Sequence, residues 1–471
     1  MGSYINDRFL LNSKKGYRLY RKYARDMPIF DYHSHLPAGE IAENKRFRSI
    51  TELWLAHDHY KWRAMRTCGV QERFITGDAG DFEKFMAFAT TIVQMPRNPL
   101  YQWCHMELAT FFGIDNILLS PETAELIYNR CNSFLEDSNF TTRKILEKMN
   151  VKTLFTTDDP VDDLSHHRAI RNAGVSGVEV LPTFRPDNAL KIEDGEGFLN
   201  WIEKLVYVTG IDVSGLNGFL DALKRRHDYF DSFGCRASDH GIDRPYSSEF
   251  DERRVDEIFK KLLSRKKLSS EEAEEYKSFM MYFFASLNAE KGWVMQLHIG
   301  ASRNNNTRYF RLLGPDSGFD SIGDYPMADR LVRFLDRLDI DGILPKMVIF
   351  NLNPSDNELI VSIIGSFQGG DRPGKLQYGP AWWFNDTKRG IINQLNALSE
   401  LGVLGKFIGM VTDSRSFLSF VRHDYFRRIL CNMIGEEIES GDLPDNEDLF
   451  GNMISNICYK NAVNYFSMES S

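Results

Sequence analysis

Ile29-Phe30-Asp31-Tyr32-His33-Ser34-His35 is the stretch on which the reading of this chain turns. Residues 29–33 form a short apolar run of strand length, and in a strand the side chains at i and i+2 project to the same side. His33 and His35 can therefore present two imidazoles to one point in space, as a metal ion requires. Tyr32 alternates away from them and reads as scaffold. A lone His-x-His is common by chance. This one gains weight because most of the remaining polar chemistry also follows apolar, strand-like runs.

Eight such runs are spaced by helix-length segments: 29–33, 153–157, 177–184, 230–237, 293–298, 346–351, 375–379 and 406–412. Continuous apolar runs are the mark of parallel strands buried on both faces. Eight of them alternating with helices predict an α/β fold of the (β/α)8 TIM-barrel type, with a doubly wound sheet as the alternative. One connection is unusually long. Between His35 and Met149 the sequence carries helical patterns over 50–65, 82–93, 100–112 and 124–135, with Ser120-Pro121 as a helix start. The expected organisation is residues 1–35 as N-terminal segment and first strand, 36–149 as a helical insertion domain over the barrel mouth, and 150–471 as the rest of the barrel. A second helical insertion is expected near 240–290, where Ser269 and Glu272 form a capping box. Its basic run from Lys260 to Lys267 and acidic run from Glu271 to Glu275 read as solvated helix faces.

Composition narrows the function classes. The chain has 471 residues, 42% hydrophobic and 26% charged, which is globular composition with enough chain for a large core. A net charge of −9 argues against a general nucleic-acid-binding surface. A small anionic substrate remains open, because local arginines override global charge. No stretch reaches the apolar length of a membrane helix. The six cysteines are scattered with no Cys-x-x-Cys pair, which predicts reduced thiols and a cytoplasmic location. No glycine-rich phosphate loop is present; Gly369-Gly370 with Pro373 reads as a turn.

In a (β/α)8 barrel the active site lies at the C-terminal strand ends. Read in order, those ends offer His33 and His35, then Arg185, then Asp239 and His240, then His298, Asn351, Trp382 with Trp383, and finally Asp413 with Arg415. Histidines from the first and fifth strands and an aspartate from the eighth form a divalent-metal constellation. His33-x-His35, His298 and Asp413 resemble the amidohydrolase superfamily. Longer blocks are similar to the uronate (glucuronate) isomerase family, a divergent branch of it: Phe30-Asp31-Tyr32-His33-Ser34-His35-Leu36-Pro37, Asp58-His59-Tyr60-Lys61-Trp62-Arg63, Leu181-Pro182-Thr183-Phe184-Arg185-Pro186, Gly379-Pro380-Ala381-Trp382-Trp383-Phe384 and Thr412-Asp413-Ser414-Arg415. The chain departs from the two-metal hydrolase pattern. The fourth strand does not end in a lysine that could bridge two metals, and the sixth ends in asparagine rather than histidine. One metal held by His33, His35 and Asp413 is therefore expected, with Zn2+ the expected ion.

The resemblance implies aldose–ketose isomerisation of D-glucuronate to D-fructuronate, and of D-galacturonate to D-tagaturonate, by C2-to-C1 proton transfer through an enediol. Such a reaction needs a base near C2, a donor for the developing oxyanion and an anchor for the carboxylate. On that reading Tyr60 is the first choice for the proton shuttle, with His59 beside it. A tyrosine base needs its pKa lowered by a nearby arginine or metal. Asp413 serves as ligand and proton carrier, His298 as hydrogen-bonding or relay partner, and Arg185 and Arg415 as forked donors to carboxylate or enediolate. Trp382 forms a pocket wall. Taken singly, His59, Tyr60, His298 and the tryptophans also read as packing residues, and Asp239, His240 and Asn351 stay undecided. A one-metal hydrolase or deaminase is the competing activity, since this fold hosts many chemistries. A non-catalytic sugar-acid binder is the third reading. A homo-oligomer is expected, because helical insertions of this kind often make subunit contacts.

Overall fold

Short strands separated by helices run through the computed structural model, which describes residues 3–136, 139–174, 177–370 and 372–467. The strands are β1 (Ile29–Asp31), β2 (Val151–Phe155), β3 (Glu179–Leu181), β4 (Ala237–Ile242), β5 (Val294–Ile299), β6 (Ala301–Ser302), β7 (Ser321–Ile322), β8 (Lys346–Asn351) and β9 (Leu376–Tyr378). β1-β2-β3 form one parallel sheet and β4-β5-β8-β9 a second, while β6 and β7 pair antiparallel as a small ribbon. Phe184 joins the two parallel sheets. It bridges to Asp158 on one side and to Ser238 on the other, in parallel register. Ridged by large apolar residues, these strands are buried, as all-parallel sheets are.

On the far side of β1, residues 407–412 run beside it without forming a regular ladder. The Tyr32 hydroxyl donates to the Gly409 carbonyl at 2.9 Å and the Asp413 N–H to the His33 carbonyl at 3.1 Å. Gly409 explains the missing ladder: its φ of +80° is outside the strand region, and an added Cβ would stand 2.3 Å from the Ile457 carbonyl oxygen. The expected eighth strand over 406–412 is thus corrected to a buried, irregular run. The expected fourth strand over 230–237 is also corrected. Phe230 closes the apolar stripe of helix Leu216–Ser232, Gly234 turns the chain at φ +81°, and the strand starts only at Ala237. Asp239 and His240 therefore lie inside β4, not after it. The other predicted strands appear within a few residues of their expected bounds, and 346–351 at the same bounds.

Between β1 and β2 the chain is helical, including Ile50–Leu55, His59–Thr67, Asp81–Ile92, Pro99–Phe112 and Ala124–Glu136. The single helix expected over 50–65 is two. Asp58 breaks it by capping the second, accepting from the N–H groups of Tyr60 and Lys61 at 3.0 and 3.1 Å. The Asp58 carboxylate also pairs with the buried Lys61 ammonium at 2.5 Å, which fixes the first turn of the helix that carries His59 and Tyr60. Ser269 and Glu272 form the expected capping box, ahead of helix Ser270–Lys291.

Interior side chains of β1, β2, β3, β4, β5 and β8 meet in one buried cluster with the C-terminal Tyr465 and Phe466. Phe466 stacks on Phe30 and Tyr32 with centroids 5.7 and 5.0 Å apart, and meets Phe155 edge-on. Its helix plugs the N-terminal end of the sheets and leaves the C-terminal ends open for chemistry. Among the described residues no helix is long and apolar enough to cross a membrane. Truncating the plug tests its weight. Phe466→Ala is expected to cost about 3–5 kcal/mol in urea unfolding, by lost burial plus cavity; a loss below about 1 kcal/mol would show that the plug is dispensable.

Candidate active site

A cavity of about 480 Å³ opens at the C-terminal strand ends, and its wall contains every site residue expected from sequence: His33, His35, His59, Tyr60, Arg185, His298, Trp382, Asp413 and Arg415. Its floor is the meeting of β1 with the 407–413 run. There the Nε2 atoms of His33 and His35 lie 3.0 and 3.1 Å from the same oxygen, Oδ1 of Asp413. Oδ2 of Asp413 accepts from the Trp382 indole N–H at 2.5 Å. Asp413 adopts φ +43°, a left-handed conformation that aspartate tolerates better than most residues.

Protonation within the trio is set by burial and by the three groups' mutual contacts. Burial alone would raise the Asp413 carboxyl, but contacts with His33 and His35 more than reverse this and hold it well below the usual carboxylate range. Burial lowers His35 to about 4, so its imidazole is neutral at pH 7 and keeps a lone pair to offer. His33 is displaced downward by burial but carried above its ordinary value by Asp239 and Asp413. Two imidazole nitrogens and one ionised oxygen crowded on one point match the donor set of a divalent metal. These residues fit such an ion.

Behind this trio lies a second layer of opposite charges. The His298 Nδ1 is 2.6 Å from Asp239 Oδ1, and Arg185 reaches Asp239 Oδ2 at 3.0 Å and Asp187 Oδ2 at 2.8 Å. Burial would push the Asp239 carboxyl up, yet Arg185, His298 and His33 hold it well below the usual range. The His298 ring stacks on Phe350 and lies 4.3 Å, centroid to centroid, from His33. Burial lowers its pKa, and its Nε2 has no partner among the described residues. Asp239 was undecided from sequence because the misplaced fourth strand hid its inward-facing register. Asn351, also undecided, stands outside the cavity wall, its amide spent on the Asn353 carbonyl and the Asn357 side chain.

The opposite wall comes from helix His59–Thr67 and from segment 300–322. The His59 and Tyr60 rings are 4.8 Å apart, and both face Trp383. Burial and Arg415 lower the His59 pKa. Tyr60 departs from expectation: burial first, then Asp413, raises its phenol well above the ordinary value instead of lowering it. In this pocket Tyr60 keeps its proton and presents a donor. Arg415 pairs with Asp316 at 2.8 Å, and Arg303, which sequence reading did not single out, lies 3.9 Å from the same carboxylate and over Trp383. Asp187, Arg303 and Asp316 carry no local sequence signal; only the folded chain brings them to the cavity.

The match to the glucuronate isomerase family covers residues 1–466. The chain belongs to that family. A uronate isomerase from Caldanaerobacter subterraneus subsp. tengcongensis is 48% identical over 468 residues, covering 99% of this chain and all of that one. The crystal structure of a uronate isomerase from Thermotoga maritima superposes with a TM-score of 0.93 at 38% identity, over 99% of this chain and 100% of that one. A metal-dependent hydrolase fold from Lactobacillus casei, so described in its structure, aligns at TM-score 0.52 and 14% identity over 97% of this chain and 98% of that one, a likeness of fold alone. The chain's α/β framework of parallel sheets is thus similar in fold to that one structure as well.

The Arg185–Asp239–His298 layer can be weighed by its pH dependence. A carboxylate whose folded pKa is depressed contributes stability above its unfolded pKa, near 4, and loses it as pH falls toward the folded value. Asp239→Asn is therefore expected to cost about 3 kcal/mol at pH 7, because it strips Arg185 and His298 of a buried counter-charge. The deficit should shrink when urea unfolding is repeated below about pH 4. A deficit that is constant with pH would contradict the charge-based account.

Proposed function

We propose that this chain interconverts D-glucuronate and D-fructuronate, and D-galacturonate and D-tagaturonate, by moving a proton between C2 and C1 through an enediol. Its membership of the glucuronate isomerase family supports the activity. The observation that carries the site is the convergence of His33, His35 and Asp413 on one point, opposite His59 and Tyr60, in a cavity flanked by arginines. We read the framework as a (β/α)8 barrel closed by the irregular 407–412 run. The helices between β1 and β2 then act as an insertion domain over its mouth. Phe184 linking the sheets on one side and the Asp413–His33 backbone bond on the other support that closure.

His33, His35 and Asp413 would hold one divalent ion, with zinc favoured by the two-imidazole, one-carboxylate set. When bound, such an ion would polarise substrate oxygens and lower the cost of negative charge on them. The rest of the chemistry falls to the chain. Tyr60, protonated in the free pocket, donates to an oxygen of the open-chain sugar or delivers a proton to carbon. His59 is neutral near pH 7 and can take one up. Together they form the shuttle pair, with the proton resident on Tyr60 at the start. Asp413, ionised, accepts from a sugar hydroxyl. His298 is held by Asp239 and offers its unpartnered Nε2 to a substrate hydroxyl.

Arg185 is already matched by two carboxylates, Asp187 and Asp239, and so serves mainly to set Asp239. Among the described residues Arg415 has one short ion-pair partner, Asp316, which leaves guanidinium capacity for the uronate carboxylate or the enediolate. Trp382 packs against His298 and donates to Asp413, a wall and a ligand brace at once.

Conversion of glucuronate to its ketose, followed directly, tests the pair. Tyr60→Phe is expected to lower kcat by about 10²–10⁴-fold with a much smaller change in KM, the mark of a group that moves a proton in the transition state. His59→Asn should do the same. A change confined to KM in both variants would make them binding residues only and remove the shuttle assignment.

A further inference from the structure

Thr412, the residue just before Asp413, is gripped from both ends by buried charges of opposite sign. Asp31, fully buried on β1, accepts from the Thr412 N–H at 2.9 Å and from the Thr412 hydroxyl at 2.5 Å. Arg422, buried at the start of helix Val421–Ser440, donates through Nη2 to the Thr412 carbonyl oxygen. Its other arm, Nη1, is paired at 2.7 Å with Asp386, whose side chain is 3% exposed. Asp386 ends the turn that carries Trp382 and Trp383, its N–H bonded to the Trp383 carbonyl. One guanidinium therefore ties the peptide on which Asp413 hangs to the turn whose indole braces Asp413.

Asp413 needs such a tie. Its φ of +43° costs free energy relative to ordinary backbone, and non-glycine residues persist there only where the surroundings impose it. Asp31 stands outside the cavity wall, and Arg422, which does line it, has its two arms taken up by Asp386 and the Thr412 carbonyl. Burying two charges around one peptide is expensive unless both are fully bonded.

We propose that Asp31 and Arg422 are positioning residues that lock Thr412, and through it aim the Asp413 carboxylate at the point shared with His33 and His35. The lock rests on the reading of that point as a metal site. It acts as outer partners of a metal ligand do, by fixing the ligand's orientation before the ion arrives. Arginine is required because two arms must reach two different acceptors; a lysine offers one point charge.

Zinc affinity of the metal-free protein, measured by competition with a chromophoric chelator, is the readout. Wild type should bind one zinc, and Asp413→Asn should lose it. If wild type binds none, the metal reading fails, and this proposal with it. With that control in hand, Thr412→Val and Arg422→Lys should each weaken zinc about 10–100-fold, and Thr412→Ser, which restores the hydroxyl, should return to near wild type. A merely structural role would lower the melting temperature of the metal-free variants and leave zinc affinity untouched; that result overturns the lock. Should Arg422→Lys fail to fold, the Thr412 pair decides alone.

Discussion

One carboxylate oxygen organises this molecule. Oδ1 of Asp413 is shared by two imidazoles from the other end of the chain, 3.0 and 3.1 Å away. For that contact to exist, the first strand and the segment after the last one must lie side by side. The sheet order, the Phe184 link between the two sheets and the C-terminal aromatic plug all serve that neighbourhood. The contact brings two imidazoles and a carboxylate together, with burial keeping His35 neutral and the two imidazoles keeping Asp413 ionised. Such a cluster is poorly satisfied by itself and well satisfied by a cation.

The second half of the site is contributed by helices, and its placement depends on a different set of buried charges. Asp58 and Lys61 fix the first turn of helix His59–Thr67. One and two turns on, Arg63 and Arg66 donate to the Asp320 and Ser317 carbonyl oxygens, which ties the helix and segment 300–322 into one wall. That wall supplies His59 and Tyr60, and through Asp316 it also touches Arg415 on the strand side. Catalytic geometry of this kind is precise only when each functional side chain has its own supporting contacts. Here the support consists of charged groups at element ends.

Much of this was legible from sequence, for identifiable reasons. Strand-length apolar runs marked β1, β5 and β8 closely, because parallel strands buried on both faces are almost uninterrupted in apolar character. The ends of the β1 and β5 runs then named His33, His35 and His298, and the end of the 406–412 run named Asp413. What failed did so where tertiary context decides. Phe230 and its neighbours looked like a strand but belong to a helix stripe, and the error concealed Asp239, the partner that fixes His298. Gly409 breaks the last strand through a close approach to Ile457 that no local pattern reports. Tyr60, expected as a proton shuttle with a lowered pKa, does line the cavity, but the direction of its shift depends on burial and on Asp413, both products of folding. Arg422 sits in the first turn of helix Val421–Ser440 with no motif around it, and its two bonds join segments that only the fold brings together.

The account stands on an enediol isomerisation in which the chain's own groups move a proton between C2 and C1. Metal-loaded protein incubated with D-glucuronate in D2O and followed by proton NMR tests this most directly. The account predicts a 2-keto uronate carrying solvent deuterium at C1, with no hydrolysis product. An unchanged sugar, for glucuronate and galacturonate alike, would contradict the isomerase, and a ketose formed with no deuterium at C1 at any extent of reaction would contradict the route through an enediol exposed to the His59–Tyr60 pair.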